Sequence, residues 1–160
     1  MTNGDSTPDN LSFRTATRDD LPAIVRMLAD DGLGKGREQP VEPLPRAYCD
    51  AFGRMAAQPG NIYLLAEIDG AVAGCLQLTV IHGLSRTGMS RAQIEGVRVA
   101  GSHRGQGIGE ALFREAIDHA RHEGCGLVQL TTDKARPDAL RFYEKLGFTA
   151  SHEGMKLDMG

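Results

Sequence analysis

The stretch Ile94–Phe113, IEGVRVAGSHRGQGIGEALF, decides the fold. Its first residues, through Val99, have the apolar, β-branched character of a strand. Arg104-Gly105-Gln106-Gly107-Ile108-Gly109 follows as a turn dense in glycine. From there Ile108, Ala111, Leu112, Ala116 and Ala120 mark the core face of a helix that ends at Gly124, a natural residue just past a helix end. This order makes an anion seat. Glycines let backbone N–H groups converge, and the helix start adds unpaired donors and the positive end of its dipole. Arg104 can add a charge-assisted contact to the same phosphates.

Other readings of the turn stand beside that one. Glycines also serve close packing of a strand on a helix. A dinucleotide fingerprint, G-x-G-x-x-G, is met by Gly105 and Gly107 and fails at Glu110, although Asp133 at the end of the next strand mimics its ribose-binding acid. A phosphate loop ending in Gly-Lys-Ser/Thr is absent.

Outward from this stretch, Leu11–Ala16 predicts a first strand. Thr17 with Asp20 resembles a capping box, and Leu21, Ile24, Val25 and Leu28 form an amphipathic stripe that Gly32 stops. Residues 32–46 read as a Gly- and Pro-rich loop leading into a helix at about 45–57. Asn61–Ile68 and Ala71–Ile81 predict a hairpin closed by Asp69-Gly70. A polar connection over 82–91 leads into Ala92–Val99. Leu127–Thr132 predicts another strand. Pro137 opens a helix lined by Ala139, Leu140, Phe142, Tyr143 and Leu146, and Phe148–Met159 can form a last strand or hairpin. The order β-α-α-β-β-β-α-β-α-β predicts an α/β fold with a mixed sheet and helices on both faces. Residues 1–10 read as a disordered tail and 11–160 as one domain, which suits a chain of 160 residues.

Composition excludes several classes. With 18 Lys and Arg against 21 Asp and Glu, the net charge is −3, and no basic footprint for nucleic acid exists. No apolar run reaches membrane-span length, and the start lacks the pattern of a signal peptide. Cys49, Cys75 and Cys125, an odd and widely spaced set, are expected as reduced thiols in the cytoplasm. His119 and His122 lie one turn apart without a third ligand nearby, so no metal site is expected.

The segment 94–109 resembles the acetyl-CoA-binding motif of the GNAT superfamily of N-acetyltransferases, which reads Arg or Gln, two residues, Gly, one residue, Gly or Ala. Arg104, Gly107 and Gly109 match it. The segment ALRFYEKLGF (139–148) is similar to the C-terminal motif of the same family, and FRTATRDDLPAIVRML (13–28) to its opening strand and helix. Together the resemblance covers most of residues 11–150.

The resemblance implies a mostly antiparallel central sheet with helices on both faces and two strands splaying at the acetyl-CoA site. It implies an acetyl-CoA-dependent N-acetyltransferase acting on a primary amine of a small molecule or peptide, with no metal, by direct transfer in a ternary complex. The backbone of Val97 and Val99, with Arg98 between them, would hold the pantetheine arm. Arg104, Gly105, Gln106, Gly107, Ile108 and Gly109 would hold the pyrophosphate. Tyr143 stands where the family places its general acid. Seven residues before it many members carry an Asn that contacts CoA; this chain has Arg136, which can reach the phosphates instead. Many members form dimers, which leaves a homodimer open.

The residues themselves set out the chemistry. A phenol with an ordinary pKa near ~10 is protonated at neutral pH, which suits Tyr143 as an acid. An alkylammonium must lose a proton before it attacks, and Glu95, a carboxylate within an apolar strand, is the candidate base, acting through water. It could equally be an outward-facing strand charge or form an ion pair with Arg98. No cysteine lies in either motif to act as a nucleophile. A non-catalytic CoA-binding sensor would share the phosphate seat without needing Tyr143, and a nicotinamide-dinucleotide enzyme would ignore CoA.

Overall fold

The Asp69-Gly70 turn closes the hairpin with both residues in left-handed backbone, φ 51° and 78°. This is the twist-matched geometry of a two-residue hairpin. It joins β2 (Asn61–Ile68) to β3 (Ala71–Ile81), and these are flanked by β1 (Leu11–Thr15) and β4 (Arg91–Val99). With β5 (Leu127–Gln129) they form a five-stranded sheet in the order β1-β2-β3-β4-β5. All neighbours run antiparallel except β4 and β5, which are parallel. The mixed, mostly antiparallel α/β architecture is the one expected.

The computed structural model describes residues 7–160. The chain divides into two compact units, the first reaching Gln129 and the second running from Leu130 to Gly160. The expected tail, residues 1–10, falls mostly outside the described residues.

In the first unit, α1 (Leu21–Ala29) and α2 (Arg46–Ala56) precede β2, and α4 (Ile108–His122) joins β4 to β5. Between β3 and β4 lies α3 (Ser85–Gly88), a single turn in which Arg86 and Thr87 take left-handed backbone. The capping-box pair meets at the start of α1. Thr17 N–H donates to Asp20 Oδ2 at 2.7 Å, and Arg14 clamps that carboxylate with two bonds of 2.7 and 2.8 Å while also binding Glu67.

One face of the sheet is apolar throughout. Leu64, Ala66, Leu76, Leu78, Val80, Ala92 and Ile94 are buried, as is the stripe of α4: Ile108, Leu112, Phe113, Ala116 and Ala120. Phe113 joins the stripe expected from spacing, and Ala111 is only partly buried. On the other face a smaller cluster forms under α1, from Ala16, Ile24, Met27, Leu65 and Cys75. Burial pushes the Cys75 thiol up to about 12.

The second unit contains α5 (Pro137–Lys145). Two expectations fail. The strand expected over Leu127–Thr132 ends at Gln129, and no ladder forms over 148–159. Met155, Leu157 and Met159 alternate as a strand would, yet remain exposed, because no neighbouring strand takes up their backbone bonds.

Candidate functional site

The last residues of β4 do not follow a regular ladder. Cys75 pairs with Arg98 and Gln77 with Glu95, so Gly96 and Val97 together oppose Leu76 in a β-bulge. Gly96 takes φ +60°, which a side chain would resist, and a Cβ there would stand 3.4 Å from the Tyr63 hydroxyl. The bulge shifts side-chain alternation by one residue. Glu95 and Arg98 therefore share one face, the face of α1, while Val99 pairs with Gly74 on the α4 side.

The β4–β5 ladder holds only three pairs, ending at Gln93 and Gln129, while β4 continues to Val99. Beyond Gln93 no described strand pairs with β4 on its β5 side, a stretch whose backbone an extended ligand could bond as an added strand would. Val97 and Val99 lie on this segment, both partly buried.

Beyond Val99 the chain makes a short 3-10 turn and enters α4 through Gly105 and Gly107, at φ 77° and 72°. Gly107 caps α4 with no side-chain hydrogen bond, so the first-turn N–H groups carry no side-chain cap. Left-handed glycines before an uncapped helix start are the arrangement that binds phosphate through backbone. Ile108 is buried against Gly74, whose added Cβ would stand 3.4 Å from it, so Ile108 can offer a ligand only its N–H. Gln106 is exposed and Gly109 partly buried. Arg104, also exposed, binds the end of α1. Its Nη2 donates to Asp30 O at 3.1 Å and Asp30 Oδ2 at 3.3 Å, and its Nε to Val99 O at 3.4 Å.

Arg98 pairs with Asp31 and not with Glu95. The contact is 2.7 Å, between side chains only 18% and 16% exposed. Arg98 Nη1 also donates to Val97 O at 2.8 Å, while its buried Nε has no partner. Asp31 Oδ1 in turn accepts from Leu33 N–H at 2.8 Å and Gly34 N–H at 2.5 Å, which fixes the start of the 32–45 loop. The two aspartates ending α1 thus hold the two arginines that flank the bulge and the glycine turn.

Beside this pair the sheet face turns polar. Tyr63, Gln77 and Glu95 form one cross-strand row, and Asn61, Thr79, Gln93 and Gln129 the next. Asn61 Oδ1 accepts from Gln77 Nε2 at 2.9 Å and Thr79 Oγ1 at 3.3 Å, and Gln129 Nε2 donates to Gln93 at 2.8 Å. Glu95 is exposed and the others partly buried. Burial raises the Tyr63 phenol well above its ordinary value, and the nearby Cys75, Glu95 and Glu38 raise it further against the opposing pull of Arg98. Glu38, in the 32–45 loop, accepts the Tyr48 hydroxyl of α2 at 2.8 Å. Tyr63 and Gln77 escape a reading by motif, whereas Asp31 and Glu38 stand with Asp30 and Glu42 in an acidic run along the sequence. The available signal was a period of two in polar residues on three successive strands.

In the second unit, Tyr143 lies on α5 with its ring edge-on to Phe142 and Phe148, at centroid distances of 5.5 and 6.1 Å. Its carbonyl accepts Phe148 N–H at 3.0 Å. The FYEKLGF segment thus closes on itself around an aromatic trio. Arg136 caps α5, is partly buried, and donates its backbone N–H to Asp133 O at 2.9 Å.

Among the described residues no group of His, Cys, Asp or Glu is arranged to hold a metal ion, and no helix is long and apolar enough to cross a membrane.

Known proteins resemble this chain. The chain is 37% identical over 90 residues to glucosamine 6-phosphate N-acetyltransferase of Trypanosoma brucei brucei, covering 56% of this chain and 59% of that one. It is 29% identical over 144 residues to streptothricin acetyltransferase of Streptomyces lavendulae, covering 90% and 66%. It therefore spans about three-fifths to two-thirds of the length of these relatives. A crystal structure described as a transcriptional regulator from Bacillus halodurans C-125 superposes with a TM-score of 0.90 at 49% identity, over 93% of this chain and 99% of that one. The sequence profile of the Acetyltransferase (GNAT) family matches residues 23–148, a span that takes in the bulged strand, the glycine turn and the α5 motif. The chain belongs to the Acetyltransferase (GNAT) family.

Proposed function

We propose that the protein transfers an acetyl group from acetyl-CoA to a primary amine of a small molecule or peptide, directly, within a ternary complex. The observation that carries this reading is the open, bulged edge of β4 leading through Gly105 and Gly107 into the uncapped start of α4. The edge suits an amide-bearing pantetheine arm and the turn suits a pyrophosphate. Backbone groups of Val97 and Val99 would hold the first. N–H groups from Gly105 to Gly109 would hold the second, with Arg104 exchanging part of its contact with Asp30 for phosphate, and Arg136 a further candidate for the CoA phosphates.

An N–H donor near Val99 would stabilise the oxyanion formed as the amine adds to the thioester carbonyl. Glu95, exposed on the sheet face, would take up the amine proton through water. As the new C–N bond replaces the C–S bond, Tyr143 would donate its phenolic proton to the departing thiolate. Three free thiols support a reducing, cytoplasmic setting.

Thermal-shift titration with acetyl-CoA, CoA and NAD(P), followed by thiol release across an amine library, tests the reading. A ligand at 100 times its Kd adds roughly 2.7 kcal/mol. Stabilisation by a dinucleotide alone refutes it. Tyr143→Phe is expected to lower turnover about 10²-fold with acetyl-CoA affinity intact; unchanged turnover removes Tyr143 from the mechanism. A second reading, a CoA-binding sensor without turnover, takes support from the B. halodurans neighbour described as a transcriptional regulator. It requires CoA binding without thiol release for any amine.

A further inference from the structure

The polar half of the α1-side sheet face is more than the outer surface of a sheet. Two adjacent cross-strand rows carry side chains with both donor and acceptor groups: Tyr63, Gln77, Asn61, Thr79 and Gln93. All are partly buried, and Asn61 links Gln77 and Thr79 into one network. The rows begin where the apolar cluster under α1 ends and reach the bulge, because the Tyr63 hydroxyl lies beside Gly96. An acceptor reaching a thioester at the bulged edge from this face would meet this surface.

Its charge is one-sided. Glu95 lies in the Tyr63–Gln77 row, and Glu38 is near enough to act on the same phenol. The guanidinium nearest the bulge, Arg98, is committed to Asp31 and to the Val97 carbonyl, so it is not available to an anionic ligand. Arg91, the first residue of β4, lies on the same face beyond Gln93, and its side chain sits beside Gly83 in the preceding loop. A phosphate or carboxylate on the acceptor would meet neutral amides and two carboxylates. A second ammonium, or a ring of hydroxyls, would meet partners of the right kind.

We propose that the acceptor is a cationic amine bearing hydroxyl or amide groups and no phosphate or carboxylate, read by Tyr63, Gln77, Asn61 and Thr79 and attracted by Glu38 and Glu95. This rests on the acetyltransferase reading above.

The test uses the intact chain with acetyl-CoA and three matched pairs that differ by an anion: glucosamine and its 6-phosphate, ethanolamine and phosphoethanolamine, glycinamide and glycine. Thiol release gives kcat/KM for each. The uncharged or cationic member of at least one pair is expected to be favoured by about tenfold or more, the scale of one unfavourable charge contact. Glu38→Gln should shrink that ratio at least about threefold by raising the acceptor KM, with the KM for acetyl-CoA unmoved. A preference for the anionic members, a ratio untouched by Glu38→Gln, or no thiol release from any pair by protein that acetyl-CoA stabilises overturns the proposal. If acetyl-CoA does not stabilise the protein, the acetyltransferase reading itself has failed.

Discussion

Asp31→Ala removes a carboxylate that receives bonds from Arg98 at 2.7 Å, Leu33 N–H at 2.8 Å and Gly34 N–H at 2.5 Å. Leu33 is exposed, so water can replace the carboxylate at its N–H, whereas Gly34 is buried and its N–H adds to the loss. The Arg98 guanidinium cannot recover so readily. It is 18% exposed, and its Nε is already buried without a partner. Breaking a buried ion pair from one side costs about 3–5 kcal/mol. The remaining exposure of both side chains screens part of this, which puts the expectation near 3 kcal/mol. For a chain of this length that lowers Tm by roughly 6–12 °C. Urea unfolding at neutral pH measures it directly. Arg98→Met keeps the apolar stem and leaves Asp31 its two N–H donors, so it should cost about 1 kcal/mol. The double variant should then be less damaged than the sum of the singles, with a coupling of about 1–2 kcal/mol. A loss below about 1 kcal/mol in Asp31→Ala, or strict additivity, refutes the claim that this pair ties the end of α1 to the bulged strand.

Gly107→Ala places a side chain at φ 72°, and the strain should cost about 1–2 kcal/mol and weaken acetyl-CoA stabilisation in the same thermal-shift series; undiminished stabilisation separates the turn from the phosphate seat. Cys75 should resist Ellman's reagent at pH 8 in the native state, because burial holds it as a thiol. Its folded value, about 12, lies above the ordinary 9.0, so its contribution is complete below pH 9 and declines as pH rises toward 12. The slope is about 1.4 kcal/mol per pH unit and should be missing in Cys75→Ala. The Arg14 guanidinium, through its hydrogen bonds, holds the Asp20 carboxyl below its ordinary 3.8, so stability from this pair is complete above that pH and lost as pH falls below it. Asp20→Asn should therefore be less stable at neutral pH and show a flatter acid limb in pH-dependent unfolding. An acid limb as steep as that of the parent protein refutes that assignment.

The expectation for Glu95 shows where motif reading stops. Arg98 is its nearest cation in sequence, three residues on, although a regular strand would put the two on opposite faces. The bulge does bring the two to one face, but Arg98 finds Asp31, 67 positions earlier in the chain, at 2.7 Å. Arg104 shows the same limit. Its place in the glycine motif points to phosphate, while its side chain reaches Asp30 at the end of α1. Tyr63 carries no motif, and its hydroxyl becomes notable only because Gly96 leaves space beside it.

Features that depend on near neighbours along the chain are legible before folding. The Asp69-Gly70 hairpin, the stripes of α1 and α4, and the glycine turn into a helix start are set by backbone preference and side-chain period over a few residues. The family resemblance rests on those same local patterns. The β4 register emerges with folding, because a one-residue bulge reverses which face each later side chain takes. Folding also sets which carboxylates meet Arg98 and Arg104, and which polar groups on β2, β3 and β4 share one surface. Those contacts join residues tens of positions apart, and no local periodicity encodes which distant partner a charged side chain will reach.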